Sequence, residues 1–262
     1  MNLAATPPAQ APVLTLKLAQ SCGEIEEALR LRYRVFVEEA NNQVLAHASG
    51  LEQDEYDAIC DHLLVRDQNT DEVVGTYRLL PGSRAVRYRG FYSETEFDLT
   101  AFQGSKIHAL ELGRSCVAAA YRGTRAIQML WGGIAQYLAD NRHSHLIGCA
   151  SLHLSERSEL DELYSMLKHH ALITDRYGVA PLETHRIRDL QARPTSCSEK
   201  ELVRRLPPLL KGYRWMGAEI ASEPAYDPLF DSTDFFVVFA TDQMTRRYQR
   251  HFATSYREGQ AS

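Results

Sequence analysis

The sequence predicts an α/β fold of the mixed α+β kind. It reads as one sheet with helices on both faces, extended by a largely helical region at residues 153–217. Three observations predict this. Two strand-like runs, 62–67 (HLLVRD) and 72–80 (EVVGTYRLL), flank a polar turn and read as a hairpin. Two buried strand runs, 109–117 (ALELGRSCV) and 145–152 (HLIGCASL), are joined through a long helix-period run. A continuous apolar strand, 234–240 (DFFVVFA), follows several helices near the end.

The elements follow in chain order. Residues 1–12 are rich in proline and alanine and read as a disordered tail; they lack the basic start and apolar core of a signal peptide. Residues 14–19 (LTLKLA) alternate as a half-buried strand does. Ser21 and Glu24 have capping-box spacing ahead of a helix at 23–40, whose apolar face carries Ile25, Leu29, Tyr33, Phe36 and Val37, with Arg32 and Arg34 beside it. Residues 41–60 form a polar loop with Gly50 and the acidic set Glu52, Asp54, Glu55 and Asp57; a loop of that length in a compact domain is often functional. Residues 90–99 are aromatic and acidic and read as a loop or short helix over one face. A helix at 121–140 repeats Ile127, Leu130, Trp131, Ile134 and Leu138 at helical spacing. Helices follow at 156–171, at 199–205 behind a Ser198/Glu201 capping box, and at 209–216 after Pro207-Pro208. The stretch 177–195 is ambiguous. A basic helix at 244–252 ends the ordered chain, so 13–254 reads as one domain, with 255–262 as a tail.

Composition narrows the function. The net charge of −5 gives no reason to expect a nucleic-acid partner. Positive charge is clustered at Arg84/Arg87/Arg89, at Arg186/Arg188/Arg193 and at Arg246/Arg247/Arg250/His251. Such clusters form solvated faces or dock an acidic partner or anionic lipid, and both readings stay open. Cys22, Cys60, Cys116, Cys149 and Cys197 show neither a disulfide framework nor a zinc pattern, which points to a reducing compartment and to no metal. No apolar run approaches the roughly 20 residues that span a bilayer. The expected location is therefore cytoplasmic, any membrane contact being peripheral.

The strand 109–117 carries two charges, Glu111 and Arg114, in an otherwise apolar run. Burying either without a partner is costly, so the strand is internally paired or part of a site.

These residues carry a family resemblance. Glu111-Leu-Gly-Arg-Ser-Cys-Val117 followed by Tyr121-Arg122 resembles the central strand and acyl-carrier-binding turn of the GNAT N-acyltransferase superfamily. Several segments resemble its acyl-carrier-protein-dependent ornithine N-acyltransferases, which make lyso-ornithine lipid: 60–65 (CDHLLV), 74–80 (VGTYRLL), 90–98 (GFYSETEFD), Leu130-Trp131, 148–152 (GCASL), 211–213 (KGY) and 230–234 (FDSTD). A second resemblance is to acyl-homoserine-lactone synthases, whose charged set appears as Arg32 and Phe36, Asp54 and Asp57, Arg78, and Glu111 with Arg114. The tryptophan typical of that group has no match in 38–44. The usual acetyl-CoA turn has small residues where this chain has Arg125 and Ile127, which disfavours a CoA diphosphate. The basic turn suits the single phosphate of a phosphopantetheine arm and an acidic carrier surface.

The resemblance implies attack of an amino-acid amine on an acyl thioester. It also implies acyl carrier protein as the acyl donor, with no permanently bound cofactor expected. Glu111 is the candidate base, direct or through water, with partnership to Arg114 or Arg78 as the competing reading. Glu111, Arg114 and Asp54 form the candidate catalytic set. Arg32, Phe36, Asp57, Arg78 and Asp234 form the candidate acceptor site, in which Asp54 and Asp57 meet the cationic amino acid. Val117, Arg122 and Arg125 are the candidate carrier and phosphopantetheine contacts. Oxyanion donors are expected among the backbone N–H groups of 115–118. Phe91, Tyr92, Phe97 and Phe102 line an acyl tunnel or pack in the core. Cys116 reads as a buried small hydrophobe rather than a nucleophile. The alternatives within the fold are a long-chain N-acyl amino-acid synthase for lysine, glutamine or tyrosine, or an acyl-homoserine-lactone synthase. Outside catalysis, the alternative is a carrier- or lipid-binding module.

Overall fold

The computed structural model describes residues 11–102 and 104–243. The expected basic helix at 244–252 and both chain ends lie outside these residues. The strands are β1 (Leu14–Leu18), β2 (Asp61–Asp67), β3 (Glu72–Pro81), β4 (Phe97–Asp98), β5 (Ala109–Val117), β6 (His145–Leu152), β7 (Ala180–Pro181), β8 (Glu219–Ile220), β9 (Ala225–Asp227) and β10 (Ser232–Ala240). The helices are α1 (Cys22–Tyr33), α2 (Gly82–Ala85), α3 (Ala126–Asn141), α4 (Arg157–His169), α5 (Glu199–Arg205) and α6 (Pro208–Met216).

The main sheet runs β1-β2-β3-β5-β6-β10-β8, with β9 also paired to β10. Every pair is antiparallel except β5 and β6. The mixed sheet expected from the sequence is therefore present. Alternation along the strands assigns the faces. Tyr77 meets Trp131 of α3 with ring centroids 5.8 Å apart, whereas Arg78, the next residue, reaches the 54–57 segment beneath α1. Helices α1 and α3 thus cover opposite faces. Helix α6 joins the α3 side, its Tyr213 ring 5.9 Å from Trp131. Leu160, Leu163 and Leu167 of α4 and Leu202 of α5 share a core with Phe235 and Val237 of β10.

Local chemistry sets the boundaries. Ser21 Oγ caps α1 by accepting from the Glu24 amide at 3.3 Å. Ser198 and Glu201 complete the capping box of α5. The helix expected at 23–40 keeps its α form only to Tyr33 and continues as a π-helical turn over Arg34–Glu39. Its buried face contains Arg32 itself rather than having Arg32 beside it. All five cysteines are free thiols. Among the described residues no helix is long and apolar enough to cross a membrane.

Two irregularities in β5 make the site. Opposite β3, Thr76 pairs with Cys116 but Arg78 pairs with Gly113, so Arg114 and Ser115 together face Tyr77 as a bulge. Arg114 takes a left-handed backbone there, φ 50°. Opposite β6, pairing stops after Glu111↔Ile147. Beyond that point the two strands part and a cleft opens between them.

Candidate active site

The cleft encloses about 1660 Å³ of empty space, mouth included. Its polar wall holds Ser93, Glu111, Arg114, Cys149 and Asp234, and its apolar wall holds Leu112, Trp131, Tyr213 and Met216. Neighbouring residues of β5 face opposite sides, so Glu111 and Leu112 divide the cleft into a polar half on the α1 face and an apolar half on the α3 face. A narrow apolar crevice, about 380 Å³ with the open space at its mouth included, adjoins the apolar half between Leu146, Gly148, Ala218, Val237 and Phe239.

Three arginines and three carboxylates from distant segments interlock beside the polar half. Arg32 donates to Glu52 at 2.5 Å and to both oxygens of Asp57 at 2.6 and 3.2 Å. Arg78 donates to Asp54 at 2.6 Å and to Asp57 at 3.2 Å. Arg114 donates to Glu52 at 3.1 Å and to Asp54 at 3.0 Å. The Arg114 guanidinium also lies between the rings of Tyr92 (4.3 Å) and Phe230 (4.5 Å), and Phe36 packs edge-on against Phe230. Burial alone would raise the Asp57 carboxyl, but the Arg32 and Arg78 guanidiniums outweigh it and hold it well below the usual carboxylate range. Asp54 and Asp57, expected to meet the cationic amino acid, are both engaged by arginine in this structure. Glu52 belongs to this network, and the sequence reading left it outside the candidate site.

Glu111 is not part of the network. Its carboxylate accepts from the Tyr92 amide at 2.7 Å, the Ser93 amide at 2.8 Å and the Ser93 hydroxyl at 2.5 Å. The partnership with Arg114 or Arg78 weighed above is replaced by this cradle. In an unbroken strand residues 111 and 114 would face opposite sides; the bulge returns Arg114 to the face of Glu111. Burial pushes the Glu111 carboxyl above its ordinary range, opposed by the Ser93 hydroxyl and the two amides.

The 90–98 segment supplies a residue missed from the sequence. Glu94 is taken up locally, accepting from the Phe91 amide at 3.0 Å and from Lys106 at 2.9 Å. Glu96 is 2% exposed and neither of its carboxylate oxygens has a hydrogen-bond partner. A Glu96 oxygen, the Cys149 sulfur and an Asp234 oxygen lie within 4.8 Å of one another. Asp234 itself accepts from Ser232 at 2.6 Å and Ser151 at 2.9 Å. Burial, followed by the charges of Asp234 and Asp227, pushes Glu96 up to about 9. Burial also lifts the Cys149 thiol. The signal available in the sequence was a carboxylate inside an aromatic segment with no basic residue beside it.

An acetyltransferase (GNAT) domain matches residues 31–132. The L-ornithine N(alpha)-acyltransferase of Rhizobium meliloti is 37% identical over 251 residues, 91% of this chain and 84% of that protein. Those of Brucella abortus and Rhodobacter capsulatus are 34% and 35% identical, covering 91% and 93% of this chain and 88% and 96% of theirs. The chain belongs to the L-ornithine Nα-acyltransferase family. It is an acyltransferase of the GNAT fold. A CoA-dependent acyl-homoserine lactone synthase in complex with MTA shares that fold, with a TM-score of 0.55 at 14% identity over 93% of this chain and 89% of its own.

The other candidate residues fall into place around the cleft. Phe36, Arg78 and Asp234 line it, while Arg32 lies behind its wall, fully buried. Val117 and Arg122 meet at the turn before α3, where Arg122 Nε donates to the Val117 carbonyl at 3.1 Å and the rest of its guanidinium pairs with Glu39. Arg125 points away, toward the Leu14 carbonyl at 3.5 Å. The Ala118 N–H is bound to the Val74 carbonyl, and the register leaves the Val117 N–H directed away from β3. Of the expected oxyanion donors, Ala118 is thus removed and Val117 is on the open side. The aromatic set does not form a tunnel: Phe91, Phe97 and Phe102 pack in a closed core with Phe236, and of the four only Tyr92 lines the cleft. Burial pushes the Cys116 thiol up to about 12, and the neutral thiol fits a small hydrophobe.

Proposed function

We propose that this acyltransferase moves a fatty or 3-hydroxyacyl chain from the thioester of an acyl carrier protein to the α-amine of ornithine, giving lyso-ornithine lipid. The observation that carries the reading is the two-faced cleft where β5 parts from β6. Its polar half offers a buried carboxylate and two arginine side chains, and its apolar half continues into a crevice suited to hydrocarbon. The names of the relatives supply the acceptor.

In this reading Glu111 takes a proton from the α-ammonium, directly or through water, and Arg78 and Arg114 face the α-carboxylate. The amine then attacks the thioester carbonyl and forms the C–N bond. The developing oxyanion meets the Val117 N–H. Collapse breaks the C–S bond, and the proton shed by the attacking nitrogen neutralises the departing phosphopantetheine thiolate. The acyl tail occupies the crevice beside Leu146, Val237 and Phe239. Arg122 at the turn before α3, about half exposed, engages the arm's phosphate or the carrier's acidic surface. The basic segment near Arg246, Arg247 and Arg250 rests on anionic membrane; liposome flotation that is insensitive to salt overturns that contact.

The deciding experiment supplies the full chain with acyl carrier protein or CoA thioesters. Ornithine competes with lysine, glutamine, tyrosine and S-adenosylmethionine, and products are read by mass spectrometry. Nα-acylornithine formed from the carrier thioester is the expected product. Preference for another acceptor overturns the acceptor, and activity with the CoA thioester alone overturns the donor. Arg122→Ala raises KM for the carrier thioester and leaves KM for ornithine unchanged.

A further inference from the structure

We propose that Glu96 and Asp234, with Asp227 behind them, seat the side-chain ammonium of the acceptor amino acid, and that this seat selects ornithine over neutral amino acids of the same length. The proposal rests on the acyltransferase reading of the cleft and adds to it the group that reads the acceptor's side chain.

Charge balance is the first argument. Arg32, Arg78 and Arg114 are matched by Glu52, Asp54 and Asp57, so none of the three guanidiniums is bonded to the Glu96 group. Among the described residues no basic side chain forms an ion pair with Glu96, Asp234 or Asp227. Three buried carboxylates thus lie together with no cation bonded to them, Arg114 acting on them only through space, an arrangement that is costly until a cation binds.

The second argument is the unmet hydrogen bonding. Both Glu96 oxygens are buried and unpartnered, and Glu96 lies within reach of Asp234 and Cys149, which form the cleft wall. A primary ammonium carries three N–H donors and suits a cluster of acceptors better than a planar guanidinium does. Placement is the third argument. Cys149 Sγ lies 3.5 Å from Ser93 Oγ, which donates to Glu111 at 2.5 Å. Ser93 and Cys149 therefore stand between the candidate base and the acidic pair. Ornithine likewise holds its two ammonium groups apart, with three methylenes between its α-carbon and its second amine. The acceptor would lie along the polar wall, with its α-amine at Glu111 and its side-chain ammonium at Glu96.

The test compares ornithine with norvaline, which has the same carbon chain without the second amine, using the full chain and carrier thioester as donor. Wild type is expected to favour ornithine in kcat/KM by about 30-fold or more, the range set by charge-assisted hydrogen bonds. Glu96→Gln, an isosteric neutral change, narrows that ratio to within about 5-fold while turnover of norvaline persists. Asp234→Asn gives the same direction in a second position. Equal use of both amino acids by wild type, or the full preference retained in Glu96→Gln, overturns the seat. If neither variant folds, the wild-type ratio decides. If wild type transfers no acyl group at all, the catalytic reading fails separately. Calorimetry then judges the seat: binding of ornithine but not norvaline supports it, and no binding overturns it. Stoichiometric zinc in the purified protein that ornithine does not displace reassigns the cluster to a metal and also overturns the proposal.

Discussion

Arg114 reaches Glu52, Nε to Oε1 3.1 Å, from a backbone position with φ 50° that non-glycine residues rarely take. The bulge that creates this conformation also turns the side chain toward the polar wall. The left-handed backbone costs on the order of 1–2 kcal/mol, offset by the ion pairs and by the Tyr92 and Phe230 rings. Glu52 bridges Arg32 and Arg114 and is 4% exposed. Glu52→Gln is therefore expected to destabilise the fold by about 3 kcal/mol, because it leaves part of two buried guanidinium charges unmatched. Urea unfolding at neutral pH measures it. Glu55→Gln, which removes a surface pair with Arg89, should leave the midpoint unchanged.

Glu111→Gln separates proton transfer from architecture. The Gln amide would face two backbone N–H groups, so some stability is lost whichever role the carboxylate plays. The pH profile discriminates. Burial raises the Glu111 carboxyl, so the acid limb of kcat/KM is expected above the usual glutamate range near 4.5. Below that limb the carboxyl holds its proton and cannot accept one from the amine. In Glu111→Gln the limb disappears and kcat falls by about 100-fold or more. A variant that keeps full activity removes Glu111 from the mechanism.

Long buried strands were legible in the sequence because their apolar runs mark their own ends. Ala109–Val117 and His145–Leu152 match the runs read from composition. The strands β4, β7, β8 and β9 span two or three residues and carry no period to read. Arg32, Asp54, Asp57, Arg78 and Arg114 were named through family resemblance rather than from spacing, and their pairing with one another comes from the structure. Glu52 and Glu96 were not, since the burial of a loop carboxylate depends on what folds over it. That Glu111 and Arg114 share a face was also hidden, because a bulge shifts strand alternation without leaving a mark in a run such as Leu-Gly-Arg-Ser.

Gly148 tests whether the parting of the strands is built by close contact. A Cβ there would lie 2.5 Å from the Leu112 carbonyl oxygen, too close to be absorbed by a flexible side chain. Gly148→Ala is expected to force β6 away from β5 where the pairing ends, costing about 1–3 kcal/mol. The apolar crevice that Gly148 helps to line changes shape with it. Chain-length preference for the acyl donor, measured with carrier thioesters of graded length, should shift even where the variant remains folded. An unchanged preference would place the acyl chain elsewhere.

The acidic cluster makes a prediction about stability that needs no substrate. Glu96 lies beside Asp234 and Cys149, and the charges of Asp227 and Glu111 add to that of Asp234 while Arg114 opposes them. Burial and these carboxylates push it from an ordinary value of 4.5 up to about 9. A carboxyl raised in the folded state is neutral at no penalty below pH 4.5. Between about 4.5 and 9 the unfolded chain ionises while the folded chain keeps the proton, so stability drains away as pH rises, with a limiting slope of about 1.4 kcal/mol per pH unit. Glu96→Gln lacks this titration. Its stability relative to wild type should therefore increase from pH 5 to pH 8, read as a widening gap in urea midpoints. Saturating ornithine should narrow the gap at pH 8 by supplying wild type with the missing cation, and norvaline should not. A gap that stays constant with pH would mean that Glu96 ionises normally in the folded protein.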